Sequence, residues 1–335
     1  MPLSQRPWSL NTYALPKLWF RCHSLELRSG DYSKISSGIK SWLYADQLEK
    51  PEELVMYRHR SKGGLGVQHV KYKAMALLLR SFLETAINPK FIRNHYHHGE
   101  TELSKPTVSP YYSNEFYSVI KQVTQEGLMN VAHMTTKQWY RLLVENNVLM
   151  EIKENNQREF IPIRCEIKMP DVDWDQSWSY TLLPGLESEQ RSFLFRMLHN
   201  ILPTKTRLFR LHQTDSAVCS LCTSGNNEDC IHALLTCSYN TCDVNNWIIQ
   251  IVKNTAPNSN LQDIVTLGFN LDETVAFPLI WVLSHIFNMV WQLRSSKKII
   301  NMNIIRAFLE AKIHLLRKSR LNARSNQIVN MINLM

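Results

Sequence analysis

The stretch CSLCTSGNNEDCIHALLTC, residues 219–237, gathers four cysteines and a histidine into nineteen positions. If four of these side chains converge on one metal ion, the chain on both sides is pinned, so this stretch constrains the fold more than any other. Cys219 and Cys222 are separated by two residues, a spacing that lets both sulfurs meet one ion from a single turn while neighbouring amides donate to them. The second pair has to come from Cys230, His232, Cys237 and, just beyond, Cys242. His232 and Cys237 can converge if one opens a helical turn and the other closes it, with Leu234 and Leu235 facing the core. Cys230 and His232 share a face in an extended segment but crowd each other. The favoured set is therefore Cys219, Cys222, His232 and Cys237, with Cys230 a spare thiol and Cys242 the first alternative. Four protein ligands leave no open position on the metal, so one structural Zn2+ is expected.

The compartment reading follows from the cysteines. Seven is an odd number, in a chain of 335 residues that is too long for a disulfide miniprotein. MPLSQRPWSLN carries no apolar signal core. An intracellular, reducing compartment is expected, nucleus or cytoplasm undetermined. The most apolar run, VAFPLIWVLSHIFNMVW (275–291), is shorter than a bilayer needs and contains Pro278, Ser284, His285 and Asn288. It reads as a buried helix, and no membrane partner is expected.

Elsewhere the pattern is helical. Apolar residues recur at helical spacing in NTYALPKLWFRCHSL, KISSGIKSWLYA and VKYKAMALLLRSFLETA. Further helices are expected at about 115–127, 135–147, 187–202, 244–254 and 301–321, with Pro203 starting another. Lys62-Gly63-Gly64-Leu65-Gly66 reads as a turn or short hairpin. Residues 95–114 read as a linker. The acidic stretch 150–186 is irregular, with some strand pairing expected. The class is mostly α, with helical N- and C-terminal parts around a small CCHC segment. Four segments are assigned: 1–95, 96–186, 187–245 and 246–335.

The net charge of +9 is unevenly placed. Residues 1–100 hold fifteen Lys and Arg against eight acids, and residues 294–324 hold nine against Glu310 alone. Two basic blocks of this kind are an electrostatic footprint for phosphate.

RSFLFRMLHNILPTKTRLFRL followed by CSLC and IHALLTC resembles the zinc-binding segment downstream of the polymerase in LINE-type (non-LTR) retrotransposon reverse transcriptases. KGGLGVQHVKYKAMAL, with NTYALPKLWFRCHSL and IKSWLYADQL, resembles the thumb and post-thumb region of the same polyproteins, in the same order. Together the matches cover roughly 11–95 and 180–245. The resemblance implies a C-terminal portion of such a polyprotein, without its polymerase or endonuclease parts. It implies RNA or DNA as partner, and allows an intact polymerase acting in trans. Lys17, Arg21, Arg28, Arg58, Arg60, Lys62, Lys71 and Lys73 would then track a nucleic-acid backbone, joined near the metal by Lys205, Arg207 and Arg210.

No enzyme is expected. WLYADQ (42–47) places Gln47 where a polymerase box needs a second carboxylate. No phosphate-cradling loop, nucleophile elbow or HExxH occurs. HYHH (95–98) reads as a polar loop, and Trp174, Trp178 and Tyr180 as packing residues, since Asp171, Asp173 and Asp175 would repel phosphate. The rival to the nucleic-acid reading is a zinc-stapled module that binds protein, or an inactive fragment.

Overall fold

A computed structural model describes residues 1–23, 26–45, 53–86, 116, 119, 134–145, 169, 171–240, 242–269, 271–319 and 321–333. The fold is mostly helical. In chain order the helices are α1 (Arg6–Ser9), α2 (Leu15–Cys22), α3 (Ser29–Leu43), α4 (Glu53–Tyr57), α5 (Val70–Ala86), α6 (Thr136–Glu145), α7 (Trp174–Tyr180), α8 (Ser188–Leu198), α9 (Lys205–Arg210), α10 (Cys242–Thr255), α11 (Leu261–Thr266), α12 (Glu273–Ser295), α13 (Met302–Arg317) and α14 (Asn322–Asn333). Among the described residues β pairing is limited to isolated bridges at Val218–Asn227 and Asn240–Ile300. The strand pairing expected within 150–186 is absent where it can be read, because Asp173 caps a helix there by accepting from the Gln176 N–H at 3.0 Å. The HYHH loop, the 95–114 linker, and Asp46 and Gln47 of WLYADQ lie outside the described residues.

The chain divides into two compact units, and the division cuts across the sequence segments. One unit contains 1–5, 46–66 and 162–335, the other 6–45 and 67–161.

In the second unit α5 is the centre. Its Ala, Leu and Met content favours helix, and its apolar residues run all round it, so it must be buried on several sides. Helices α2, α3 and α6 pack on it. Tyr72, Met75, Leu79 and Leu83 of α5 form a core with Trp139 and Leu143 of α6. Helix α2 turns Leu15, Trp19 and Cys22 inward, at spacings of four and three. Arg6 is buried and donates to the Leu43 carbonyl at 2.8 Å, placing a cation at the C-terminal end of α3.

In the first unit the central element is α12. By length and composition alone it could cross a membrane, but 83% of its apolar window is buried inside the protein. Helices α8, α10, α13 and α14 pack around it. Helix α8 ends where Asn200 takes a left-handed φ of 53° and the Ile201 N–H reaches back to the Arg196 carbonyl at 2.8 Å. The next helix begins at Lys205 with Thr204 as its cap, so Pro203 lies two residues before it rather than starting it. On α13, Ile305, Leu309, Ile313 and Leu316, spaced by four, four and three, form a buried stripe, whereas Ile304 and Leu315 are exposed.

The glycine turn belongs to this unit. Gly63 has φ of 76°, and a Cβ there would lie 2.5 Å from the Trp178 ring. Gly64 approaches the Arg58 carbonyl so closely that a Cβ has no room. His199 packs between Trp178 and Phe195, with ring centroids at 4.8 and 4.3 Å. Its Nε2 donates to the Gly63 carbonyl at 2.8 Å. Trp174 stacks on Trp178, and both are buried as packing residues.

Burial holds the pKa of His199 and of His285 down at about 4. A neutral buried base contributes stability that is intact above its unfolded pKa of about 6.5 and is lost as pH falls toward 4. His285 lies wholly within α12, its Nδ1 2.9 Å from the Trp281 carbonyl. His285→Phe should therefore make the loss of stability between pH 7 and pH 5 smaller by about 2 kcal/mol, read from urea midpoints.

Candidate metal centre

The knuckle is built by short-range rules. The Cys219 N–H bonds the Asn226 carbonyl at 2.9 Å, and the Glu228 N–H bonds the Ala217 carbonyl at 2.9 Å. Gly225, at φ of 70°, lets the chain reverse between them. Within the loop the Leu221 N–H points at Cys219 Sγ at 3.5 Å. Ser224 Oγ lies 3.0 Å from Cys222 Sγ.

The second pair comes from a π turn, His232–Thr236. The Cys237 N–H bonds the His232 carbonyl at 2.9 Å, the five-residue step that brings the two ligands to the same side. Asp229 opens the turn, its Oδ1 accepting from the His232 N–H at 2.7 Å. Leu234 and Leu235 are buried, and the turn packs on α10 and α12. Two asparagines hold its carbonyls, Asn240 at Ala233 (3.0 Å) and Asn245 at Cys237 (3.1 Å).

The ligand atoms of Cys219, Cys222, His232 and Cys237 all lie within 4.8 Å of one another and can hold a metal ion. Cys219 Sγ is 3.9 Å from Cys237 Sγ, and Cys222 Sγ is 3.3 Å from His232 Nε2. For Nε2 to face the ion, the ring proton must sit on Nδ1, 3.4 Å from Thr236 Oγ1, to which it can donate. Burial raises the Cys219 pKa, against the pull of the Leu221 and Cys222 amides and Arg294. For Cys222 burial also acts upward, but the Ser224, Cys219 and His232 hydrogen bonds outweigh it and bring the thiol to about 6. Cys230 is different: burial and Asp229 push it up to about 12, and its thiol donates to Asn200 Oδ1 at 3.7 Å. It stands outside the four-ligand group. The Cys242 side chain lies outside the described residues.

Two residues that sequence reasoning passed over complete the centre. Arg294, in the last turn of α12, donates to Cys219 Sγ at 3.0 Å and to Glu228 Oε2 at 2.7 Å. Both members of the pair are almost fully buried, at 3% and 9% side-chain exposure. Glu228 Oε1 in turn accepts from the Lys205 N–H at 3.2 Å, which puts a carboxylate at the N-terminus of α9. Burial alone would lower the Arg294 pKa, but its bonds to Cys237 and Glu228 outweigh that and raise it. By sequence Arg294 counted only as the first member of a basic block; here it donates to a sulfur of the candidate site.

The proposed nucleic-acid residues are divided between the units. Lys17, Arg21 and Arg28 are exposed in the second unit, where Lys71 and Lys73 are half-buried at the start of α5. Arg58, Arg60 and Lys62 belong to the first unit with Lys205, Arg207 and Arg210. Lys62 is paired with Asp175, Arg60 donates to the Leu65 carbonyl at 3.3 Å, and Arg207 donates to the Asn200 carbonyl. Of these six, Arg210 is the most exposed.

No known family model matches this chain, and no curated protein matches it significantly.

Cys219→Ser and Cys237→Ser should purify without bound metal, whereas Cys230→Ser should keep it, read by elemental analysis. Glu228→Gln, which keeps the shape and removes the charge opposite Arg294, should weaken metal retention about 10-fold or more against a chromophoric chelator.

Proposed function

We propose that this chain is a zinc-stapled helical protein that binds nucleic acid, equivalent to the non-catalytic C-terminal region of a LINE-type reverse transcriptase. Zinc is the metal the donor set favours, because three thiolates and one imidazole in a closed site suit a tetrahedral ion. Bonds of about 2.3 Å to sulfur and 2.0 Å to nitrogen give tetrahedron edges of about 3.8 and 3.5 Å. The separations of 3.9 and 3.3 Å lie close to these. The role is structural: the ion ties the 219–222 knuckle to the π turn, and Arg294 and Glu228 extend that tie to α12 and α9.

The observation that carries the reading is the contact between His199 and Gly63. The Leu-His-Asn phrase and the glycine turn bear the resemblance, stand 136 residues apart, and are bonded at 2.8 Å within one unit. They also lie in the unit that holds the Cys3His cluster. Arg210 on α9, with Lys17, Arg21 and Arg28 in the other unit, would supply exposed phosphate contacts. A second reading, a protein-binding module, draws on the exposed Phe209 and Val218 flanking the knuckle. We assign no catalytic residue.

Binding of the full zinc-loaded chain to labelled oligonucleotides should fall with salt, log K dropping by about 0.7–0.9 per phosphate contact per decade. Arg28→Glu combined with Arg210→Glu should flatten that slope. Affinity that is flat with salt in the parent chain, with apolar partners still retained, would favour the protein-binding reading instead.

A further inference from the structure

The first 25 residues contain no acid, yet they include the most exposed aromatic side chains among the described residues. Phe20 is 82% exposed, Tyr13 63% and Trp8 55%. Their placement is not scattered. On α2 the inward positions are Leu15, Trp19 and Cys22, so Pro16, Lys17, Phe20 and Arg21 fall on the opposite side. Tyr13 lies seven residues before Phe20 in the turn that leads into α2, and is exposed as Phe20 is. Before α2 the chain makes a π turn, Leu10–Ala14, closed by the Leu15 N–H on the Leu10 carbonyl. Trp8 and Tyr13, five residues apart across it, meet edge to face with centroids at 5.5 Å. The contact steadies Tyr13 while leaving its ring largely in solvent.

Large apolar rings normally go inside, and a cluster left outside marks an interaction surface. The charge beside the rings selects the partner. Lys17 and Arg21 lie one helical turn apart along the flank of Tyr13 and Phe20, about 6 Å along the axis. That separation is comparable to the distance between neighbouring phosphates in an unstacked strand. Exposed rings interleaved with cations, in a stretch of sequence that carries no acid, are what unpaired bases on a phosphate backbone require. A duplex hides its base faces and would use the two cations alone.

We infer that Tyr13 and Phe20 form a stacking platform for single-stranded nucleic acid, with Lys17 and Arg21 holding its phosphates. This inference rests on the nucleic-acid reading above and adds a preference for unpaired bases at a second site, away from the metal centre in sequence.

The test uses the full zinc-loaded chain and fluorescence anisotropy with oligo(dT), oligo(U) and a hairpin duplex of matched length. The first two probes separate DNA from RNA as the source of the strand. Phe20→Ala and Tyr13→Ala should each weaken single-strand binding roughly ten-fold, the equivalent of a base–aromatic stack of about 1–3 kcal/mol. Their salt slope should match the parent chain, and duplex binding should be unaffected. Lys17→Gln should lower the slope by about one contact. Unchanged circular dichroism and metal content in each variant exclude misfolding. A parent chain that binds with a steep salt slope, but whose affinity is indifferent to Phe20 and Tyr13, overturns the platform and leaves the nucleic-acid reading standing. A parent chain that binds neither strand nor duplex overturns both. Self-association abolished by Phe20→Ala would assign the face to a second copy of the chain and overturn the platform alone.

Discussion

Three cysteine sulfurs and the buried Glu228 carboxylate crowd into one small volume at the end of α12, and with a metal bound the sulfurs would be thiolates whose negative charge has to be met. Like charges a few ångströms apart in a low dielectric repel by several kcal/mol. A metal ion held by the four donors would answer it from inside, and Arg294 answers it from the side, bonded to Cys219 and to Glu228. Buried ion pairs are poor stabilisers in general because desolvation offsets the attraction. Here the pair fixes geometry: it sets α12 against the knuckle and, through the Lys205 N–H, the start of α9 against both.

From that point the first unit follows. Helix α12 is apolar on nearly every side and must be wrapped, and α8, α10, α13 and α14 wrap it. The π turn that begins at His232 and is closed by Cys237 packs on it as well, so the candidate ligands and the apolar core share one support. Helix α8 passes the order on through His199, whose ring sits among Trp178, Phe195 and the Gly63 carbonyl. The glycine turn tolerates this approach because Gly63 has no Cβ to meet the indole. The second unit has its own logic, organised by α5, and exposes Trp8, Tyr13 and Phe20 along the stretch from α1 to α2.

Much of this was legible in the residues. The Cys-x2-Cys spacing and the five-residue step from His232 to Cys237 each imply a specific turn, and both turns form. Helical periodicity located most helices because an amphipathic stripe is a local pattern. Helix ends were less legible: Asn200 and Thr204, rather than Pro203, set the break between α8 and α9. Glu228 and Arg294 could not be read, since a single acid in a loop and a single base in a basic block look like solvated charges. Their role depends on a contact between residues 66 positions apart. Lys62 shows the converse, a cation that reads as a phosphate contact and is paired with Asp175. Long-range partners decide what a charge does, and a one-dimensional pattern does not carry them.

The measurement that tests this account most directly is X-ray absorption at the zinc edge of the purified protein. A first shell of three sulfurs at about 2.3 Å and one imidazole nitrogen at about 2.0 Å is the predicted result. A four-sulfur shell would bring Cys230 or Cys242 into the site in place of His232, and a shell without sulfur would remove the staple altogether. Either would contradict the centre described here.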